Sequence, residues 1–289
     1  MVLEDLLATI EANYEDALDG RDPEALHDLR VSIRRSRAVQ RELKGVFPRN
    51  PLAHFRAEFR WLQQATGPAR DMDVYVHGFD SLRSLLPTRA RADVEPLLSA
   101  LAERRRRARL EMERALRSQR ATGLLGEWRS LIEGLRELPE DARPDGACRI
   151  GELAGARLAR LYKRMLHMGC AITPSSPPEA YHDLRKLGKE LRYMLELFGA
   201  SLYAAEVTAS MIKTLKALQD VLGRHQDREV QAALLRSLEG ELAPAAREAV
   251  GLLVARLEQD QAESREQFAV RFARFASAEQ RELVESTFA

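Results

Sequence analysis

Residues 25–47 read ALHDLRVSIRRSRAVQRELKGVF, and residues 180–202 read AYHDLRKLGKELRYMLELFGASL. Laid over one another at an offset of 155, they pair His27 with His182, Leu29 with Leu184, Arg30 with Arg185, Arg34 with Lys189 and Arg37 with Arg192. A second match follows at an offset of 156, between LQQATGPARDMDV (62–74) and LQDVLGRHQDREV (218–230). It pairs Gly67 with Gly223, Asp71 with Asp227 and Val74 with Val230. One residue of difference in the intervening loop accounts for the change of offset. The unit that repeats is far longer than a solenoid repeat, so the pattern is that of a duplicated bundle.

Around these stretches apolar residues recur at spacings of three and four, with no alternation that would mark a strand. The spacing predicts helices over 2–19, 24–47, 52–66, 71–86, 91–119 and 123–138. After the break ELPEDARPDGACR it predicts helices over 150–169, 178–200, 205–223, 226–240, 244–273 and 277–287. Asp22-Pro23-Glu24 has the order of a helix start: a cap residue, proline in the first turn, then an acid near the positive end of the dipole. Ser176-Pro177-Pro178-Glu179 has the same order. The expected fold class is all-α. Two bundles, 1–140 and 145–289, each of about six helices with a four-helix core, would form one domain with pseudo-two-fold symmetry.

On a helix over 24–47, His27, Arg30, Arg34, Arg37 and Arg41 share one face. At 1.5 Å per residue this row runs about 20 Å. Leu26, Leu29, Ile33 and Leu43 form the neighbouring row and are expected in the core, while Arg35 falls off the basic face and is expected in solvent. In the second copy His182, Arg185, Lys189 and Arg192 keep the phase, beside Leu184, Gly188, Leu191, Leu195 and Phe198; Arg41 is replaced by Glu196. A solvated helix face usually mixes signs so that i,i+4 pairs attract. Here Arg30/Arg34, Arg37/Arg41 and Arg185/Lys189 repel. Like charges held in phase through a duplication point to an anionic partner. Arg60 and its counterpart Lys216 extend the surface, as do Lys213, Arg157 on the helix over 150–169, and Arg105 on the helix over 91–119, which is expected to point inward.

Composition narrows the class. The chain has 289 residues, 45% hydrophobic and 31% charged, with a net charge of +1. Bulk charge therefore selects no partner. Six of the 45 basic residues are lysines, which leaves 39 arginines, the side chain suited to planar recognition of phosphate. The opening MVLEDLLATIE lacks a basic start, and no apolar run approaches the roughly 20 residues of a membrane span. Neither a leader nor an anchor is expected. Cys148 and Cys170 show no metal-ligand or disulfide spacing, and a reducing cytoplasm is the simplest compartment. No nucleotide, nucleophile-elbow or zinc-protease motif is present. Asp71 and Asp73 invite a Mg²⁺ reading, but Asp71 and Asp227 read more simply as helix starts that cap or orient a nearby arginine. No cofactor, metal or catalytic residue is expected.

The duplicated H-x-x-R-x-x-x-[RK]-x-x-R helix, followed by G-x-x-R-D-x-D-V and then by G-x-x-x-D-x-x-V in the second copy, resembles the CHAD family, the conserved histidine α-helical domain. The resemblance runs from about residue 3 to residue 285. It implies two four-helix bundles and non-catalytic binding of inorganic polyphosphate in a basic groove or pore between the halves. In some members it implies association with polyphosphate granules. It assigns His27, Arg30, Arg34 and Arg37, with His182, Arg185, Lys189 and Arg192, to the binding surface. The rows hold no aromatic residue of the kind that stacks on bases, which favours polyphosphate over the alternative of RNA or DNA. A metal-dependent phosphohydrolase is a further, weaker alternative. The histidines are expected to add charge below roughly pH 6.5.

Overall fold

The computed structural model describes residues 2–20 and 22–288, with Met1, Arg21 and Ala289 outside it. Among the described residues every regular element is helical. In order they are α1 (Val2–Ala12), α2 (Tyr14–Asp19), α3 (Pro23–Glu42), α4 (Arg49–Ala65), α5 (Gly67–His77), α6 (Phe79–Ser84) and α7 (Glu95–Leu116). There follow α8 (Gln119–Gly134), α9 (Ile150–Cys170), α10 (Pro178–Met194), α11 (Ala200–Leu202), α12 (Ala205–Leu238), α13 (Pro244–Phe275) and α14 (Ala278–Phe288). The chain is all-α, as its periodicity requires. It divides into two compact units: the chain up to Ser81 with Pro96–Cys148, and Leu82–Glu95 with everything from Arg149 on.

In the first unit α1, α3, α4 and α8 pack on one another. Trp128 of α8 is fully buried, with Phe47, Phe55 and Phe59 at ring-centroid distances of 5.9, 4.9 and 5.2 Å. Leu26, Leu29, Ile33 and Leu43 of α3 are all buried, so the core row stands where the periodicity puts it. Asp22 caps α3 by accepting from the Glu24 amide at 2.8 Å. Gly20 ends α2 at φ +68°. Its bare Cα also leaves room for the Arg109 guanidinium, which donates to the carbonyls of Ala17 and Leu18 at 3.2 and 3.3 Å. A side chain there would meet both the left-handed backbone and that guanidinium.

The second unit is built on α10 and α12, with α9 against α10, α14 against α9 and α13 running along α12. Leu184, Gly188, Leu191, Leu195 and Phe198 are buried as expected. After Met194 the helix widens into a π turn, Leu195–Gly199.

Four local expectations are corrected. The break expected after Gly223 is absent, and α12 is one helix of 34 residues. Gly67 is followed by Pro68, which lacks an amide proton and cannot continue the helix of α4. Gly223 is followed by Arg224. A lone interior glycine costs only about 1 kcal/mol, less than burial of Leu218, Val221, Leu222 and His225 returns. Asp71 and Asp227 therefore start no helix; one lies inside α5 and the other inside α12. Ser176 does not cap α10: its hydroxyl accepts from the Thr173 amide at 2.9 Å, and Pro177 occupies the cap position. Arg35 is half-buried, with its Nε shut off from water, because Ser32, Ser36 and Gln40 on that flank of α3 are buried too.

One polar cluster ties α10, α12 and α13 together. His225 is 1% exposed, stacks on Tyr181 at 4.7 Å and accepts from Arg265 Nε at 3.1 Å. Burial, and then Arg265, lower its pKa from 6.5 to about 4, so the ring is neutral in the fold. Unfolding restores the ordinary value, so the unfolded chain binds the extra proton first. The stability this provides is full above pH 6.5 and is lost as pH falls toward about 4, by up to about 3 kcal/mol. Thermal unfolding of wild type and His225→Phe across that range should give a flatter pH dependence for the variant. Parallel curves would contradict the account.

Candidate polyanion-binding site

The two basic rows lie on α3 and α10, and each is held by the helix segment that carries the glycine motif. In the first unit Arg30 is 9% exposed and lies against Gly67. Its Nη1 donates to the Gln63 carbonyl and to Thr66 Oγ1, both at 2.8 Å, while the Thr66 hydroxyl donates onward to the Leu62 carbonyl at 2.9 Å. With its amide oxygen turned to Arg30, Gln63 accepts from Nη1 and Nη2 at 3.2 and 3.0 Å, the orientation the donors require. Burial, then the neighbouring charge of Arg34, pull the Arg30 pKa down to about 10, so it stays cationic at neutral pH. Burial raises the pKa of Asp71, and the nearby charges of Arg30, Arg34 and Arg70 offset only part of that rise, though part of its surface is exposed.

His27 Nδ1 is 3.2 Å from Arg70 Nη2. Only a neutral imidazole can accept there, and burial followed by Arg70 lowers the pKa of His27. Both effects move the charging of His27 to lower pH than the ordinary 6.5, and the neutral ring orients Arg70, a cation that the row spacing did not pick out. Arg34 is half-buried and its Nε makes no hydrogen bond. Arg37 is half-buried. Arg41 is paired with the buried Glu42 at 3.3 Å, and Arg60 is exposed on α4. Arg105 does turn inward, with its Nε 2.5 Å from Asp73, whose side chain is 4% exposed. That pair ties α7 to α5 and sets Arg105 apart from the row. It also commits Asp73, one of the two carboxylates considered for a metal.

In the second unit the same positions touch again with different chemistry. His182 Nδ1 hydrogen-bonds the Gln226 side-chain oxygen, where His27 meets Arg70. Arg185 lies against Gly223 and donates to Asp227 Oδ1 at 3.3 Å. Leu222 stands in the place of Thr66, so no hydroxyl draws Arg185 toward the helix backbone. Arg185, Lys189 and Arg192 then border a cleft of about 440 Å³, closed on the other side by α12 at Gln219, Asp220 and Gly223. Arg192 Nε is 3.4 Å from Glu196, close enough for charge attraction but not aligned as a hydrogen bond. Lys213 and Lys216 are exposed and border a neighbouring groove of about 500 Å³, which shares Asp220 with the cleft. Arg157 is half-buried on α9. The structure thus gathers Arg185, Lys189 and Arg192 into one cleft with Lys213 and Lys216 beside it, and gathers His27, Arg30 and Arg34 with Arg70 and Asp71. The sequence analysis missed Gln63, Arg70, Gln219 and Asp220. All four lie within the second pair of matched stretches, where only the glycine, aspartate and valine pairs were weighed.

The comparisons with known proteins bear on the family and the fold. The family model described as CHAD domain matches residues 1–236. Two proteins from two strains of Mycobacterium tuberculosis, both named only as uncharacterized, are each 29% identical over 247 residues, or 83% of this chain. The matched region is 45% of their length, so the chain corresponds to less than half of these relatives. Among solved structures, the CHAD domain from the plant Ricinus communis is 27% identical with a TM-score of 0.78, covering 96% of this chain and 89% of that one. PptA from Streptomyces chartreusis, 20% identical with a TM-score of 0.72, covers 94% and 97% and supports the fold alone.

The two arginines at the head of the rows should separate in a stability measurement. Arg30→Ala strips the Gln63 carbonyl and the Thr66 hydroxyl of a buried donor and should lower the free energy of unfolding by on the order of 2 kcal/mol. Arg185→Ala removes one contact to an exposed carboxylate and should cost less than about 0.5 kcal/mol. Urea unfolding followed by circular dichroism reads both, and equal losses would contradict the assignment.

Proposed function

The chain belongs to the CHAD domain family, and from that premise we propose that it binds inorganic polyphosphate without chemically altering it. The observation that carries the reading is the pair of in-phase cation rows on α3 and α10, each fixed from the helix that bears the glycine motif. The histidine is held from the same position in both segments, by Arg70 at His27 and by Gln226 at His182, while the arginine is held from different ones, by Gln63 and Thr66 at Arg30 and by Asp227 at Arg185. Of the row residues, Arg185, Lys189 and Arg192 border the cleft and Arg34 stands at the position that matches Lys189, with Arg37, Arg41, Arg60, Lys213, Lys216 and Arg157 as outlying cations. Arg30 and His27 act from behind, by holding the row in place, and Arg105 supports α7.

Polyphosphate is a flexible, unbranched anion with charge at short, regular intervals. Guanidinium groups bind such oxygens in pairs and keep their charge when partly desolvated. Two repeats, 1–140 and 145–289, each presenting one row, would give a long chain two places to bind. In the cell, that binding would place the protein at polyphosphate granules in the cytoplasm. No described helix is long and apolar enough to cross a membrane.

Calorimetric titration with long-chain polyphosphate, tRNA and a DNA oligonucleotide at matched salt tests the reading. Polyphosphate should bind tightest, with log affinity falling linearly in log salt. Arg34→Ala, Arg185→Ala and Lys189→Ala should each make that slope shallower by about one, as for loss of one phosphate contact, with helicity unchanged. Tighter binding of tRNA or DNA, or slopes unmoved by all three substitutions, would overturn the proposal.

A further inference from the structure

The second unit's cleft is bordered by acids as well as by cations. Arg185, Lys189 and Arg192 border it from α10, and Arg224 borders it from α12, braced by Gln267 of α13 at 2.6 Å. Asp220 and Asp227 of α12 share the lining. Asp227 lies 3.3 Å from Arg185, and Glu196, one turn along from Arg192, lies 3.4 Å from it. Asp220 is exposed and forms no ion pair among the described residues. At the matching positions the first unit carries Gln64 for Asp220 and Arg41 for Glu196, and only Asp227 has an acidic counterpart, Asp71. The second unit thus sets two acids beside its cations at positions where the first has none.

Carboxylates in a basic cleft work against every anion that enters it. To reach Arg185 or Arg192, a ligand oxygen must displace Asp227 or Glu196. Asp220 has no cation to be displaced from, and it repels any anion beside it. Like-charge contacts of this kind suppress wrong partners, and specificity often depends on such a repulsive element. The opposition is common to all anions, but the return differs. In polyphosphate neighbouring phosphorus atoms share one bridging oxygen, so several charges fit into a cleft of about 440 Å³. In a nucleic acid strand a sugar separates successive phosphates, so fewer charges enter the same space. A lone phosphate group engages part of the cation set and leaves the rest to their carboxylates.

We infer that Asp220, Asp227 and Glu196 are specificity-determining residues that screen the α10–α12 cleft by charge density. They reject nucleic acid and single phosphate groups, and they admit polyphosphate, whose closely spaced charges together outweigh them. The inference rests on the polyphosphate reading above. It adds a reason for the second unit to refuse other polyanions, which a row of cations alone does not supply.

Calorimetry at matched salt tests it, with long-chain polyphosphate and a single-stranded oligonucleotide as the two ligands. The cleft variant combines Asp220→Asn, Asp227→Asn and Glu196→Gln. Its polyphosphate affinity should hold or rise slightly, while its oligonucleotide affinity rises enough to cut the ratio of the two by about tenfold or more. A control variant combines Glu179→Gln, Glu248→Gln and Glu266→Gln, at exposed positions outside the lining, and removes the same charge. It should move both affinities by a similar factor, with equal helicity in all three proteins. An unchanged ratio in the cleft variant, or an equal fall in the control, would overturn the inference while leaving polyphosphate binding intact. Weaker polyphosphate binding by Asp227→Asn alone would make Asp227 a positioning residue for Arg185 and overturn its part in the screen. Absence of polyphosphate binding by the wild type would overturn the reading beneath.

Discussion

On α3 and α10 a row of like charges lies one step around the helix from a row of fully buried side chains. The core row fixes how each helix is rotated, so the cations cannot turn away from one another into solvent without pulling Leu29 and Ile33, or Leu184 and Leu191, out of the core. What keeps the arrangement from flying apart is the contact with the segment bearing the glycine motif. An arginine lies against the helix beside Gly67 and beside Gly223, and the side chains around them engage it. The rest of the site follows from that contact. Arg30 is gripped by backbone and hydroxyl and becomes largely structural, whereas Arg185 is held loosely by an exposed aspartate and remains available.

The phase of the two rows was legible in the sequence, and burial of the adjacent core residues bears out that periodicity. The all-α class was legible for the same reason. Other features depended on single positions that periodicity does not weigh. Pro68 keeps α4 from running on into α5, while Arg224 allows α12 to run through Gly223. Ser176 has the composition of a cap but turns its hydroxyl back to Thr173. Arg35 falls off the basic face on a helical wheel, yet α3 is covered on almost every side, so leaving the face does not mean reaching water.

The site itself was half legible. Residue type and spacing found the cations on α3 and α10, but not which of them are committed to the protein's own acceptors. Arg105 and Arg41 belong to that group, through Asp73 and Glu42. Spacing also could not reveal that His27 accepts from Arg70 and so works as a neutral ring, since that depends on a contact between residues 43 positions apart. The exchange of Thr66 for Leu222 is conspicuous only once Arg30 is seen to grip the first and Arg185 to miss the second. The arginine beside Thr66 is sequestered, and the one beside Leu222 borders a cleft.

The claim at the centre is that the rows on α3 and α10 are where polyphosphate is held. A crystal structure of the protein grown with polyphosphate tests it most directly. The account predicts phosphate oxygens within hydrogen-bond distance of Arg34 and of Arg185 or Lys189. Phosphate confined to the exposed arginines of α7, such as Arg106 and Arg107, with both rows bare, would contradict it.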